Sequence, residues 1–163
     1  MYVGAILIAS DKGARGERQD ESGQAVQECL ASLGVRWAKY EVVPDDMETI
    51  SATLKDWADE GGLDVVFTSG GTGLAPRDVT PEATLAVVER LVPGIAEAMR
   101  VEGVKKTPLA MLSRGVAGIR KGTLIVNLPG SPRAVRECLE AVLPALPHAM
   151  ETLRGEAAEC GQR

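Results

Sequence analysis

The segment TSGGTGLAPRDVTPEAT, Thr68 to Thr84, sets Gly70, Gly71 and Gly73 directly after an apolar run and follows them with Arg77 and Asp78. Glycines here permit left-handed or closely approached backbone. Such a loop, with Ser69 and Thr72 in it, can aim several N–H groups at one anion. No Gly-Lys-Ser/Thr follows, so it is not a Walker A loop, and the spacing is not GxGxxG. Thr80 reads as a helix cap, with Pro81 and Glu82 in the first turn, which accounts for the second half of the segment. Arg77 and Asp78 keep two readings: an ion pair that pins the loop, or a carboxylate held for metal or acid–base work.

Three other connections after strand-like runs carry similar chemistry. In VVPDDMET, Asp45 and Glu48 fit a capping box with aspartate in place of Ser or Thr. A cap explains one carboxylate but not two in a row, so cap and catalysis stand level for Asp45. The stretch SDKGARGERQDESG, Ser10 to Gly23, is long for a strand-to-helix connection and carries Asp11, Arg15, Arg18, Asp20 and Glu21. Loops of that length are often functional; the plainer alternative is a solvated loop with Ser22 capping the next helix. In NLPGSPRAV, Asn127 precedes a turn at Pro129 and Gly130, and Ser131 caps a helix opening on Pro132. A helix start attracts anions, although an ordinary turn also fits. Two glycine-bearing loops flanked by aspartates point to a polyphosphate ligand with Mg²⁺, which commonly takes one or two carboxylates plus substrate phosphates. Spacing alone gives no reaction.

The elements that position these loops alternate along the chain. YVGAILIA, VRWAKYEVV, DVVFTS and GTLIVNL read as strands, and LAMLSRGVAGI as a hairpin or two short extended pieces around Gly115. Helical periodicity covers Ser22–Leu33, Asp45–Ala58, Pro81–Leu91 and Gly94–Gly103. It then runs from Ser131 to Leu153, with breaks expected at Pro144 and Pro147. This alternation predicts an α/β domain with a largely parallel central sheet and helices on both faces. In open sheets of this kind ligands bind beyond the carboxyl ends of the strands. The 163 residues suit one domain, expected over 1–154, with 155–163 as a flexible tail.

Composition narrows the classes. A net charge of −5 and 3% aromatics argue against nucleic-acid binding. No apolar run is long enough for a membrane span, and YVGAILIAS lacks the features of a signal peptide, so a cytoplasmic location is expected. Cys29, Cys138 and Cys160 form no CxxC pair, and Cys29 and Cys138 read as buried packing. His148, without a second ligand at suitable spacing, argues against zinc.

The combination of TSGGTGLAPRDVTPEAT with NLPGSP resembles the molybdopterin adenylyltransferase family of molybdenum-cofactor biosynthesis, which includes the N-terminal domain of gephyrin and its plant counterpart. SDKGARGERQDESG, VVPDD, TPLAMLSRGVAGIRKGTLIVNLPGSP and ECLEAVLPAL fall in family order, so the resemblance spans nearly the whole chain. It implies a single Rossmann-like three-layer α/β domain that forms a homotrimer. It implies transfer of AMP from ATP to molybdopterin with release of pyrophosphate, assisted by Mg²⁺. A separate molybdate-insertion protein is then the downstream partner. Asp45 and Asp78 match the family's functional aspartates, with Asp78 the expected magnesium ligand. Ser69, Gly70, Gly71, Thr72 and Gly73 match the nucleotide side. Ser10, Asp11, Asp20, Ser22, Gly23, Asn127, Pro129, Gly130 and Ser131 match the molybdopterin and phosphate side, and Glu97 matches a glutamate beside the site. A non-catalytic paralogue that carries molybdopterin or a precursor is the alternative, and a generic nucleoside triphosphatase is a third reading.

Overall fold

Apolar runs long enough to be buried on both faces form the middle of one sheet. The computed structural model describes residues 1–156. β1 (Val3–Ala9), β2 (Arg36–Val43), β3 (Val65–Ser69) and β6 (Thr123–Leu128) run parallel. β4 (Arg90–Leu91) and β5 (Ala117–Arg120) complete one side in antiparallel pairing. The order across the sheet is β2-β1-β3-β6-β5-β4. The expected largely parallel α/β domain is therefore present, with an antiparallel margin.

Successive side chains of a strand point to opposite faces, and β1 divides accordingly. Ile6 and Ile8 join Val65, Phe67 and Val126 under α2 (Ser22–Cys29), α5 (Pro93–Val104), α6 (Pro132–Val142) and α7 (Leu146–Arg154). Ala5, Leu7 and Ala9 join Val66 and Ile125 under α3 (Met47–Glu60) and α4 (Thr80–Leu85). Ile50, Leu54 and Trp57 of α3 are buried there at helical spacing. Both faces are thus covered by helices.

Several boundaries differ from the periodicity. The helix expected at Ser22–Leu33 ends at Cys29, and Ala31–Leu33 is a 3-10 turn closed by Gly34 at φ +63°. The helix expected to reach Leu91 stops at Leu85, and Arg90 and Leu91 pair with β5 instead. The expected hairpin begins at Leu109, but its start falls within a 3-10 segment at Pro108–Leu112, and only Ala117–Arg120 is extended. The last helix breaks at Leu143–Ala145, where Pro144 stands. Cys29 and Cys138 are half-buried, and burial pushes the Cys138 thiol up to about 11. Cys160 lies outside the described residues, as does most of the expected tail.

Candidate functional site

The chain leaves β1 toward β2 on one side, while β3 lies on the other, so the strand order reverses between β1 and β3. Such a switch point opens a crevice at the carboxyl ends of the strands. A cleft of about 520 Å³ lies there. Its lining draws Ser10, Asp20 and Ser22 from the first loop and Asp45 from the second. Ser69, Gly70, Gly71 and Asp78 come from the third loop, and Gly130 and Ser131 from the fourth. Four connections far apart in sequence meet because their strands are parallel neighbours.

The aspartates of the first two loops interlock. Asp11 N–H donates to Asp45 Oδ2 at 2.9 Å, and Asp45 N–H donates to Asp11 Oδ1 at 3.0 Å. Arg77 adds a bidentate grip on Asp11, Nε to Oδ2 at 3.0 Å and Nη2 to Oδ1 at 2.8 Å. Arg77 therefore ties the third loop to the first, rather than pairing with its neighbour Asp78. The Arg77 guanidinium and the Asp45 N–H hold the Asp11 carboxyl below the usual range. Asp11 does not line the cleft and acts as a strut between loops. The helix cap also shifts by one residue: Asp46 accepts from Thr49 N–H at 2.8 Å and caps α3. Asp45 is thereby released from capping and faces the cleft. Burial pushes its carboxyl up; the Asp11 N–H lowers it, and the negative charges of Asp11 and Asp78 raise it further.

Asp78 closes a tight turn. Its Oδ2 accepts from Ala75 N–H at 3.0 Å, and its own N–H donates to Ala75 O at 2.9 Å. Its Oδ1 makes no hydrogen bond among the described residues. Gly73 leaves room for this carboxylate, because a Cβ there would sit 2.8 Å from Asp78 Oδ2. Gly70 and Gly71 have φ of +93° and +68°. A Cβ at Gly70 would lie 2.4 Å from Ala9 O, and one at Gly71 would lie 2.3 Å from Thr80 Oγ1. Both glycines let the third loop fold back against the end of β1 and the start of α4. Thr80 is not the cap of α4: it is the first helical residue, its N–H donates to Gly71 O, and its buried Oγ1 has no hydrogen-bond partner among the described residues.

Asp20, not Ser22, closes the start of α2. Its Oδ1 accepts from Ser22 N–H, Ser22 Oγ and Gly23 N–H at 3.0, 2.8 and 3.1 Å. Its buried Oδ2 has no hydrogen-bond partner among the described residues. Gly23 is required by packing, since a Cβ would fall 2.0 Å from Tyr40 Oη. In the fourth loop Ser131 caps α6 as expected, accepting from Ala134 N–H at 3.2 Å. Pro132 has no N–H, so α6 offers the cleft its dipole more than a cradle of free amides. Asn127 is fully buried behind the loop. It donates to Thr68 Oγ1 and Thr84 Oγ1, both at 2.9 Å, and accepts from Val116 N–H at 3.1 Å. It does not line this cleft, and with Pro129 it borders a second cavity of about 220 Å³. Pro129 O accepts from Ser69 Oγ at 2.7 Å, joining the third and fourth loops. Thr72 and Gly73 support the third loop without lining the cleft. Glu97 is on the exposed face of α5, which packs against α6 and β5 rather than along the strand ends, so it lies outside this cleft.

The lining is acidic. Asp20, Glu21, Asp45 and Asp78 share it with one guanidinium, that of Arg18. Sequence reasoning passed over Arg18, Gln19 and Glu21 as parts of a solvated loop. It also passed over Arg114, whose signal is a lone cation inside the apolar run LAMLSRGVAGI. Among the described residues no group of three or more His, Cys, Asp or Glu side chains could hold a metal ion. No helix among them is long and apolar enough to cross a membrane.

Comparison with known proteins bears on this geometry. The family described as "Probable molybdopterin binding domain" matches residues 5–148. A molybdopterin adenylyltransferase of Helicobacter pylori J99 is 44% identical over all of this chain and 93% of its own length. The Escherichia coli K12 protein of the same name is 43% identical over 89% of this chain and 75% of its own. The crystal structure of the molybdopterin biosynthesis enzyme MoaB from Thermus thermophilus superposes with a TM-score of 0.91 at 56% identity. It covers 98% of this chain and 100% of that one.

Proposed function

The chain belongs to the molybdopterin-binding family of molybdenum-cofactor biosynthesis, and from that premise we propose that it is a molybdopterin adenylyltransferase. The observation that carries the reading is the convergence of Asp45, Asp78 and the Gly70–Gly71 turn in one cleft at the switch point of the sheet.

In this reaction the terminal phosphate oxygen of molybdopterin attacks the α-phosphorus of ATP. A new P–O bond forms, the bond from the α-phosphorus to the bridging oxygen breaks, and its electron pair leaves on pyrophosphate. The attacking oxygen is already anionic, so no side chain must remove a proton. The barrier lies in bringing two polyanions together and in stabilising the charge that develops on pyrophosphate. The glycine turn lets backbone approach the nucleotide closely, and the α6 dipole favours a phosphate beside Ser131.

An acidic cleft receiving two polyanions needs cations. Asp45 and Asp78 fit a magnesium ion: Asp78 Oδ1 is uncommitted, and the Asp45 carboxyl, lifted first by burial and then by the neighbouring charges of Asp11 and Asp78, would be relieved by a cation. Two carboxylates with the remaining positions left to substrate phosphates and water match the way Mg²⁺ is commonly bound. When bound, Mg²⁺ neutralises phosphate charge and polarises the bonds to phosphorus. Asp78 is its main ligand in this reading, and Asp45 orients it. On the same reading the chain forms a homotrimer and passes its product to a separate molybdate-insertion protein. The exposed Val101, Leu109, Met111 and Leu112 offer apolar surface for assembly.

The test is direct. Purified protein incubated with molybdopterin, ATP and Mg²⁺ is expected to yield adenylylated molybdopterin by mass spectrometry. Tight molybdopterin binding with no product would assign the chain to the carrier class, and ATP hydrolysis without molybdopterin would assign it to the triphosphatases.

A further inference from the structure

Asp78 needs its third loop held still, and the loop supplies few of the bonds itself. Those it has are the turn between Ala75 and Asp78 and the bond from Thr80 N–H to Gly71 O. Arg77 on Asp11, Ser69 Oγ on Pro129 O and Gly70 N–H on Leu128 O tie it to neighbouring strand ends, and a further set comes from Arg114, which stands between the 3-10 segment at Pro108–Leu112 and β5. Arg114 N–H donates to Thr72 O at 2.8 Å. Its Nε donates to Gly73 O at 2.7 Å, and its Nη2 donates to Asp78 O at 2.7 Å. Its Nη1 pairs with the Glu82 carboxylate in the first turn of α4. One planar fork thus joins both ends of the loop to the helix that follows it. Two of the clamped carbonyls are those of Asp78 itself and of Gly73, whose missing Cβ leaves room for the Asp78 carboxylate.

We propose that Arg114 is the positioning residue of the adenylyl-transfer site, setting Asp78 for magnesium-bound nucleotide by clamping the carbonyls of Thr72, Gly73 and Asp78. The proposal rests on the transferase reading for its catalytic consequence. Arg114 does not line the cleft, so its effect passes through Asp78. Lysine cannot replace it. An ammonium is a point charge, whereas the three acceptors of the Arg114 side chain lie around the edge of a rigid plane.

Four measurements test this. In Arg114→Lys, amide hydrogen exchange across residues 71–78 is expected to speed up at least about tenfold, while β1, β3 and β6 keep wild-type protection. The Mg²⁺ concentration that half-saturates ATP binding, followed by calorimetry, is expected to rise. The turnover number should fall on the order of 10²-fold, the cost of misplacing a reacting group by about an ångström, with KM for molybdopterin little changed. Millimolar guanidinium added to Arg114→Ala should recover part of the rate, which loss of general stability would not allow. Wild-type exchange at 71–78 in Arg114→Lys overturns the proposal, as does an unchanged magnesium requirement. Absence of transfer by the wild-type protein would sink the transferase reading instead, and the exchange contrast still decides the role of Arg114.

Discussion

The two ends of this one sheet treat aspartate in opposite ways. At the amino ends of the strands, Asp64 is buried ahead of β3 and has every demand met. It accepts from Val3 N–H at 2.7 Å and from Arg154 Nε and Nη2, both at 2.6 Å. Burial alone would raise its carboxyl, but the guanidinium and the Val3 N–H outweigh that and hold it below the usual range. Arg154 also lies over the Tyr2 ring and bonds Met1 O, so this end fastens α7 and the chain start to the sheet. At the carboxyl ends, Asp45 is pushed up and Asp78 keeps one oxygen uncommitted. A carboxylate with satisfied partners contributes to stability. One left short of positive charge beside a cleft is available to a ligand.

Four outcomes would sharpen or break that contrast. The largest is expected from Asp78→Asn, which removes the charge and little else: transfer should fall by at least about 10²–10³-fold, the scale of one lost electrostatic contact in a reacting site. Its thermal midpoint should stay near wild type, and a variant that keeps full turnover would remove Asp78 from the site. Next is Gly70→Ala. A Cβ would meet Ala9 O at 2.4 Å, in a backbone conformation that side chains resist. Denaturant unfolding should show a loss of about 1–3 kcal/mol from strain alone, and activity should fall with it because the third loop must shift. Third, Asp64→Ala takes the close carboxylate from the Arg154 guanidinium, leaving it Met1 O at 3.0 Å and a looser pairing with Glu156 at 3.6 Å, and should cost about 1–3 kcal/mol of stability, with the turnover of the folded fraction unchanged.

The fourth and smallest effect is a pH dependence that separates the two ends. Asp64 has a lowered folded pKa, so its stability contribution is present above the ordinary carboxylate pKa and is lost as pH falls through the folded value. Asp45 has a raised folded pKa, so its charged form detracts from stability above that value, and the penalty lifts as pH falls through it. Activity needs the charged form. The turnover profile should therefore show an acidic limb centred above the ordinary aspartate value of about 4. Raising Mg²⁺ should move this limb to lower pH, and Asp45→Asn should abolish it. A limb that persists in Asp45→Asn would assign it to another group.

The sequence made the strands and most helices legible, because continuous apolar runs and 3.6-residue periodicity are local signals. The four loops were legible as a set, since each follows a strand run and carries glycine, serine or aspartate. What it hid was which of two adjacent aspartates faces the cleft. On paper the spacing from Asp45 to Glu48 made Asp45 the cap, and only the position of the Asp11 N–H, brought by β1, frees Asp45 and leaves the cap to Asp46. Asn127 looked like a ligand residue because it ends a strand beside a glycine turn. Its role as a clamp between Thr68 and Thr84 depends on β3 and α4 packing behind it. Arg77 and Arg114 were obscure for the same reason: their partners lie 66 and up to 42 residues away in sequence.

The most direct test sets the two ends side by side. Single-turnover transfer of labelled AMP from ATP to molybdopterin would be timed for the wild type, Asp78→Asn and Asp64→Asn, at a temperature where all three are folded. The account predicts near wild-type transfer from Asp64→Asn and almost none from Asp78→Asn, with the order of thermal stabilities reversed. Equal losses of transfer in the two variants would contradict it.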